Sequence, residues 1–134
     1  MWSVKRILAV ALSAALGVGS GAALPADFDG SKPLICATIE AHGCDAGDRC
    51  LRVLPGSVGL PQFLRIDFAR QAIIGPMRTA PIASIERNPG QMLLQGTELG
   101  FGWTLALDTA SGKMNATLVN RAVAFAVYGA CTPQ

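Results

Sequence analysis

The sequence predicts an all-β domain, either a small antiparallel sandwich or an up-and-down barrel of about seven to nine short strands, cross-linked by disulfides. Three observations support this prediction. Short segments that alternate apolar and polar residues recur along the chain, and turns rich in Gly, Pro, Asn and Asp separate them. After the N-terminal region, no long segment repeats its apolar residues with the period of a helix. The chain also contains 4 cysteines, an even number that suits a disulfide framework.

The N-terminal region predicts an export signal. Lys5 and Arg6 precede a run of apolar and small residues over 7–24, which is the arrangement of a cleavable secretory signal. Gly and Ser residues dilute this run below the apolar content of a spanning helix, which needs about 20 strongly apolar residues. No Cys lies near the end of the run, so a lipid anchor is not expected either. We therefore expect export without a stable membrane anchor.

Cleavage is expected after Ala23, because small residues occupy the positions that a signal peptidase recognises, with Ala26 as the alternative. The predicted organisation is a signal peptide over 1–23 followed by a single all-β domain over 24–134. The processed protein is expected in the periplasm or outside the cell.

The charge of the processed chain argues against nucleic acid as a partner. The full sequence carries 11 basic and 9 acidic residues, for a formal net charge of +2. Lys5 and Arg6 belong to the predicted signal, so its removal leaves 9 basic residues against 9 acidic ones. The remaining Lys and Arg residues are scattered along the chain, whereas phosphate binding needs them clustered.

The cysteines predict two disulfides, as is usual in a small exported domain; they are Cys36, Cys44, Cys50 and Cys131. Zinc is less well supported, since the chain has no C-x-x-C pair and His42 is its only histidine. The favoured pairing is 44–50 with 36–131. The second of these bridges closes a loop of nearly the whole domain and removes the most unfolded-state entropy, on the order of 4–5 kcal/mol. The pairing of 36 with 44 and of 50 with 131 stays open.

The first half of the domain is expected to hold few elements. Residues 24–33 contain prolines and are expected to form an extended entry segment, which leads into a strand over 34–40. A short helical turn is expected near 56–61. The next strand, over 62–68, alternates apolar with polar residues and is therefore expected to be half-buried.

The second half of the domain is expected to be richer in strands, over 82–87, 91–97, 102–108, 113–119 and 122–131. Asn88-Pro89-Gly90 and the turn that ends at Gly112 have the residues that tight reversals require, so they predict hairpins. Alternation places one set of residues toward the core: Trp103, Leu105, Leu107, Met114, Ala116, Leu118, Val123, Phe125, Val127, Gly129 and Cys131.

The sequence contains no pattern that is typical of a catalytic site. His42 is the only side chain of the usual general-base type, and it lies in a loop between two cysteines that are expected to be oxidised. Acid–base chemistry by carboxylates would have to use Asp67, Glu86, Glu98 or Asp108, which are more simply explained as solvent-facing or turn residues. The loop with Asp45 and Asp48 lacks the ligand pattern of a calcium site, so no metal or other cofactor is expected.

Six short stretches carry a resemblance to other sequences. They are DFDGSKPLIC (27–36), LPQFLRIDF (60–68), RTAPI (78–82), LQG (94–96), GW (102–103) and YGACT (128–132). These stretches are spread along most of the domain, and in them the chain resembles a family of small exported proteins of proteobacteria with no assigned activity. The resemblance implies export and a bacterial origin, and it transfers no catalytic residue. In size, signal and disulfide use, the chain is also distantly similar to the strand-rich periplasmic lysozyme inhibitors.

These observations lead to three hypotheses of function. The first is a non-enzymatic, inhibitor-like binding module whose partner is a protein or an envelope component. The second is a small barrel that carries an apolar ligand in its mouth. The third is an enzyme that depends on carboxylates.

Overall fold

The computed structural model describes residues 19, 21, 27–47 and 49–134. Apart from two glycines, the predicted signal peptide and both candidate cleavage sites lie outside the described residues. Within the described part, no helix combines the length and the apolar content that crossing a membrane requires.

The described chain is all-β, and its ten strands belong to one antiparallel sheet. The strands are β1 (Leu34–Asp45), β2 (Leu51–Val53), β3 (Phe63–Asp67), β4 (Ala72–Ile74), β5 (Thr79–Pro81), β6 (Ser84–Asn88), β7 (Gln91–Glu98), β8 (Phe101–Asp108), β9 (Lys113–Val119) and β10 (Val123–Pro133). The order across the sheet is β5-β4-β3-β1-β10-β9-β8-β7-β6, and β2 pairs beside β3 on the same edge of β1.

The sheet curls into a half-barrel because β5 and β6, which follow each other in the chain, lie at its opposite edges. β5 pairs with β4, and two residues later β6 pairs with β7. The link between them is held by the Ala83 amide, which donates to the Gln95 carbonyl over 2.8 Å. The two edges therefore meet at one corner, and the prediction of a barrel or sandwich is resolved in favour of a partly closed barrel.

The long strands lie where the sequence predicts them, and the differences concern short elements. β2, β4 and β5 have three residues each and were not predicted, because three residues are too few for alternation to be recognised. β1 extends to Asp45, since its C-terminal part pairs with β10 through a bulge between Thr38 and Glu40. The expected helical turn is a 3-10 helix at Pro55–Val58.

Both disulfides are formed with the favoured pairing. Cys36 and Cys131 face each other directly across β1 and β10, and the bridge between them is buried in the core. Cys44 and Cys50 close the hairpin loop between β1 and β2. No free cysteine remains among the described residues. Two disulfides in so small a domain indicate an oxidising environment outside the cytoplasm.

The core fills one end of the half-barrel. Its fully buried side chains are Leu34, Ile66, Met92, Leu94, Leu107, Met114 and Cys36. The N-terminal segment covers this end, because the Phe28 ring packs against Gly112 and Gly30 lies close to Met92 and Phe68. This end is therefore closed. The opposite end holds the loop that leads from β2 to β3 and the loops that connect β4 to β5, β7 to β8 and β9 to β10.

Asp67 corrects one detail of the sequence interpretation. Its side chain was expected to face away from the core and to be solvated, yet the residue is only 8% exposed. The Arg65 guanidinium lies 3.4 Å from its carboxylate, and the Arg70 backbone amide donates to it over 3.1 Å. Arginine side chains and the following turn thus cover this outward-facing carboxylate. They also supply the ion pairs and the hydrogen bond that a charged group needs when it is removed from water.

Candidate functional site

An apolar cavity of about 600 Å³ opens at the end of the half-barrel opposite the core. This volume is in the range of small-molecule sites, roughly 300–1,000 Å³. Its walls are the inner faces of β1, β3, β4, β5 and β7–β10, together with the two loops at the mouth. The lining residues that carry a hydroxyl or a charge are Thr38, Arg78 and Glu98; all others in the described lining are apolar or glycine, or Trp103.

The strand register explains why this end of the barrel is hollow. Leu105, Ala116 and Val127 lie side by side on β8, β9 and β10, and all three line the cavity. The middle position of this row is an alanine, which leaves the space that a larger side chain would fill. The row nearer the core has Met114 beside Gly129 on β10. The Ala37 backbone and the Met114 methyl group occupy the place of a Gly129 side chain, so this row is filled. The small side chain at the inward position of the middle strand, Ala116, therefore contributes to the cavity.

Trp103 forms one wall of the cavity and packs over a glycine of the neighbouring strand. Gly96 pairs with Trp103 in register, and a Cβ atom on Gly96 would lie 2.6 Å from both the indole and the Pro81 carbonyl oxygen. The absence of a side chain at Gly96 lets the indole and the β5 backbone come close to β7 at this position. The indole Nε1–H is buried and has no acceptor among the described residues, which is an uncommon condition for a buried donor.

Hydrogen bonds to backbone carbonyl groups hold both loops at the cavity mouth. Thr38 anchors the loop before β3, since its hydroxyl donates to the Pro61 carbonyl over 2.7 Å and its amide donates to the Gln62 carbonyl over 2.9 Å. The loop between β4 and β5 is closed by the Gly75 amide, which donates to the Arg78 carbonyl over 2.8 Å. Met77 lies at the tip of this second loop and is 89% exposed.

One ion pair crosses the open seam of the half-barrel at the mouth. Arg78, just before β5, places its Nε 3.8 Å from the Glu98 carboxylate at the end of β7. Glu98 is on the inward side of β7, since it alternates with the inward residues Met92, Leu94 and Gly96. The contact is longer than a hydrogen bond. The cavity mouth therefore presents one cationic and one anionic side chain, which form an ion pair without a hydrogen bond.

A second polar group lies on the outer face of the sheet and includes His42. The His42 ring shares a hydrogen bond of 2.7 Å with the Glu40 carboxylate, and its ring meets Tyr128 edge-on at 6.2 Å between centroids. This hydrogen bond and, next, the charge of Arg52 lower the pKa of Glu40 below its usual value. His42 is thus engaged by a carboxylate and an aromatic ring, and no described serine, threonine or cysteine side chain hydrogen-bonds to it.

The four candidate carboxylates do not form a catalytic pair. Glu98 is the one acidic residue in the described lining of the cavity. Glu86 accepts a hydrogen bond from Asn88, and Asp67 is covered as described above. Asp108 accepts the amides of Ser111 and Ala110 in the β8–β9 turn, and these bonds lower its pKa. Each carboxylate therefore has a separate local partner.

No group of three or more His, Cys, Asp or Glu side chains that could hold a metal ion occurs among residues 27–47 and 49–134. Asp48, one of the two acidic residues considered for calcium, lies outside the described residues.

The sequence interpretation overlooked the residues that shape the cavity mouth. Thr38 was not singled out, Arg78 was noted only within the RTAPI stretch of the resemblance, and Glu98 was considered only as one of four carboxylates. The dipeptide Gly75-Pro76 is a recognised turn signal and indicates a loop there, but nothing in the sequence shows that this loop lies opposite the end of β7.

Comparison with known proteins identifies no relative: no protein-family model, no curated protein and no solved structure matches the chain.

Proposed function

We propose that the protein is exported to the periplasm, is processed after Ala23 or Ala26, and binds a small, largely apolar molecule in the cavity of the half-barrel. The observation that carries this proposal is an apolar space of about 600 Å³ that is closed at one end and open at the other. Small-molecule sites are typically concave, mostly apolar clefts of this size. The family resemblance and the two disulfides support a location outside the cytoplasm.

The arrangement is better suited to binding than to catalysis. An enzyme of the carboxylate class needs two acidic groups that converge on one substrate, whereas the described cavity lining contains Glu98 alone. A binding protein needs only these features: apolar walls and a few polar groups that orient the ligand.

Binding should be visible in a series of straight-chain alcohols of increasing length, added to protein purified from the exported fraction. Trp103 is the reporter, and a Trp2→Phe variant removes the other tryptophan from any unprocessed chain. Each added methylene should improve binding by about 0.8 kcal/mol, or roughly fourfold in Kd, until the chain fills the cavity. Native mass spectrometry of the same sample shows whether a ligand is retained and where the chain begins.

A matched pair of variants separates cavity binding from surface binding. Ala116→Phe fills the middle of the cavity and should weaken binding about tenfold or more, because the ring takes the space of several methylenes. Ala130→Phe makes the same change on the outer face of β10, where the residue is exposed, and should leave binding unchanged. Equal binding by both variants, or no fluorescence response to any alcohol, would contradict the proposal.

A protein or envelope component as partner is a second candidate function. Five of the exposed large apolar residues lie on or next to β1, β2, β3 and β10: Ile39, Leu51, Leu54, Phe63 and Tyr128. Exposed apolar residues that cluster are typical of interaction surfaces. If this surface is used, a partner captured from envelope extract by the native protein should be lost with Phe63→Glu and retained with Leu99→Glu, which changes an exposed apolar residue between β7 and β8. Equal capture by both variants argues against this surface.

A further inference from the structure

The ion pair at the cavity mouth has hydrogen-bonding capacity that the protein does not use. The contact between Arg78 Nε and Glu98 measures 3.8 Å, which is outside hydrogen-bond range. The described residues provide no other partner for either side chain. A guanidinium offers five N–H donors, and a carboxylate offers two acceptor oxygens. Both groups line the cavity, Arg78 about half exposed and Glu98 mostly covered.

The charges at the mouth select among head groups. An anionic head would gain from Arg78 but would lie beside the Glu98 carboxylate, and a cationic head would meet the opposite conflict with Arg78. Either ion would also lose hydration as its chain enters an apolar cavity. A neutral head group that carries both a donor and an acceptor avoids both costs, because it can donate to Glu98 and accept from Arg78.

We infer that the ligand is a single-chain amphiphile with a neutral polar head group, such as an amide, held between Arg78 and Glu98 while its chain occupies the apolar cavity. The inference rests on the proposed function and specifies the class of molecule. The cavity interior suits an alkyl chain, because apolar side chains of β8, β9 and β10 line it continuously below the mouth. The head group replaces a loose contact across the seam with two hydrogen bonds.

The test compares three probes with the same chain and different heads: dodecanamide, dodecanoate and dodecylammonium, at neutral pH and below their aggregation concentrations. Trp103 fluorescence reports binding to the exported protein. We expect dodecanamide to bind the native protein about tenfold more tightly than either ion. The two single-charge variants should then reverse this order. Glu98→Gln should make dodecanoate the tightest of the three, and Arg78→Gln should do the same for dodecylammonium.

Two matched controls change the same charges away from the cavity. They are Arg121→Gln and Glu86→Gln. Arg121 lies in the β9–β10 turn at the same end of the barrel and Glu86 lies on β6, and neither residue lines the cavity. Both should preserve the order of the native protein. The inference is overturned if dodecanoate or dodecylammonium binds the native protein best, or if the Glu98 and Arg78 variants keep the native order. If none of the three probes binds, the proposed cavity function itself fails.

Discussion

Removing the bridge between Cys36 and Cys131 by the double substitution Cys36→Ala and Cys131→Ala should lower the free energy of unfolding by about 4–5 kcal/mol. The bridge joins residues 95 positions apart, so in the oxidised unfolded chain it restricts almost the whole domain. In the folded protein it connects two directly paired residues of β1 and β10. A domain of this size is stabilised by only about 5–15 kcal/mol, and the loss is therefore a large part of the total.

The second disulfide provides the control for this prediction. Cys44 and Cys50 are 6 positions apart, and the same loop-entropy relation gives about 2 kcal/mol for the double substitution to alanine. Urea unfolding of both variants, followed by circular dichroism, measures the two losses under identical conditions. If the loss for the short loop equals or exceeds that for the long loop, restriction of the unfolded chain is not what stabilises this domain.

Gly129→Ala should destabilise the domain by about 3 kcal/mol or more. A Cβ atom on Gly129 would overlap the carbonyl oxygen of Ala37 on β1 and would lie 2.6 Å from the Met114 methyl group on β9. The methionine can move, but the carbonyl belongs to the backbone of the central strand next to the β1 bulge. The backbone angle φ of Gly129 is not positive, so the cost comes from packing between strands and not from a left-handed conformation.

Gly102→Ala is the matched control, because Gly102 is also a strand glycine without a positive φ. A Cβ atom there has no neighbour closer than 4.0 Å, and alanine should stabilise the strand slightly, by up to about 1 kcal/mol. Thermal unfolding of both variants compares the two positions directly. A loss below about 1 kcal/mol at Gly129 would show that β1 and β10 can separate easily, and that their close approach is not a requirement of the fold.

Much of the fold could be predicted because it depends on local alternation. β7, β8 and β9 agree with their predicted bounds to within one residue. β8 and β9 were predicted from their alternation, and β7 from the Asn88-Pro89-Gly90 turn that precedes it. The direction of the side chains followed as well: Trp103, Leu105 and Leu107 are buried as expected. The disulfide pairing was favoured because of the length of the loop that each pairing closes, and this length can be counted in the sequence.

The site could not be predicted, because its parts are distant in sequence and its central feature is a space. Arg78 and Glu98 belong to a loop and a strand end that meet only after β5 and β6 have joined the two edges of the sheet. The burial of Asp67 could not be predicted either, because residues around it in the folded protein determine whether its outward-facing carboxylate is exposed to water.

By itself, the sequence determined the all-β class, the long strands, which side chains face inward, and the presence of two disulfides. All of these follow from periodicity, turn residues and cysteine count. Only the tertiary structure decided that one end of the half-barrel is filled and the other hollow. That outcome depends on which inward residues become neighbours across strands. Ala116 leaves space because the register places it between Leu105 and Val127 in the cavity wall, whereas the Ala37 backbone and Met114 take the space beside Gly129.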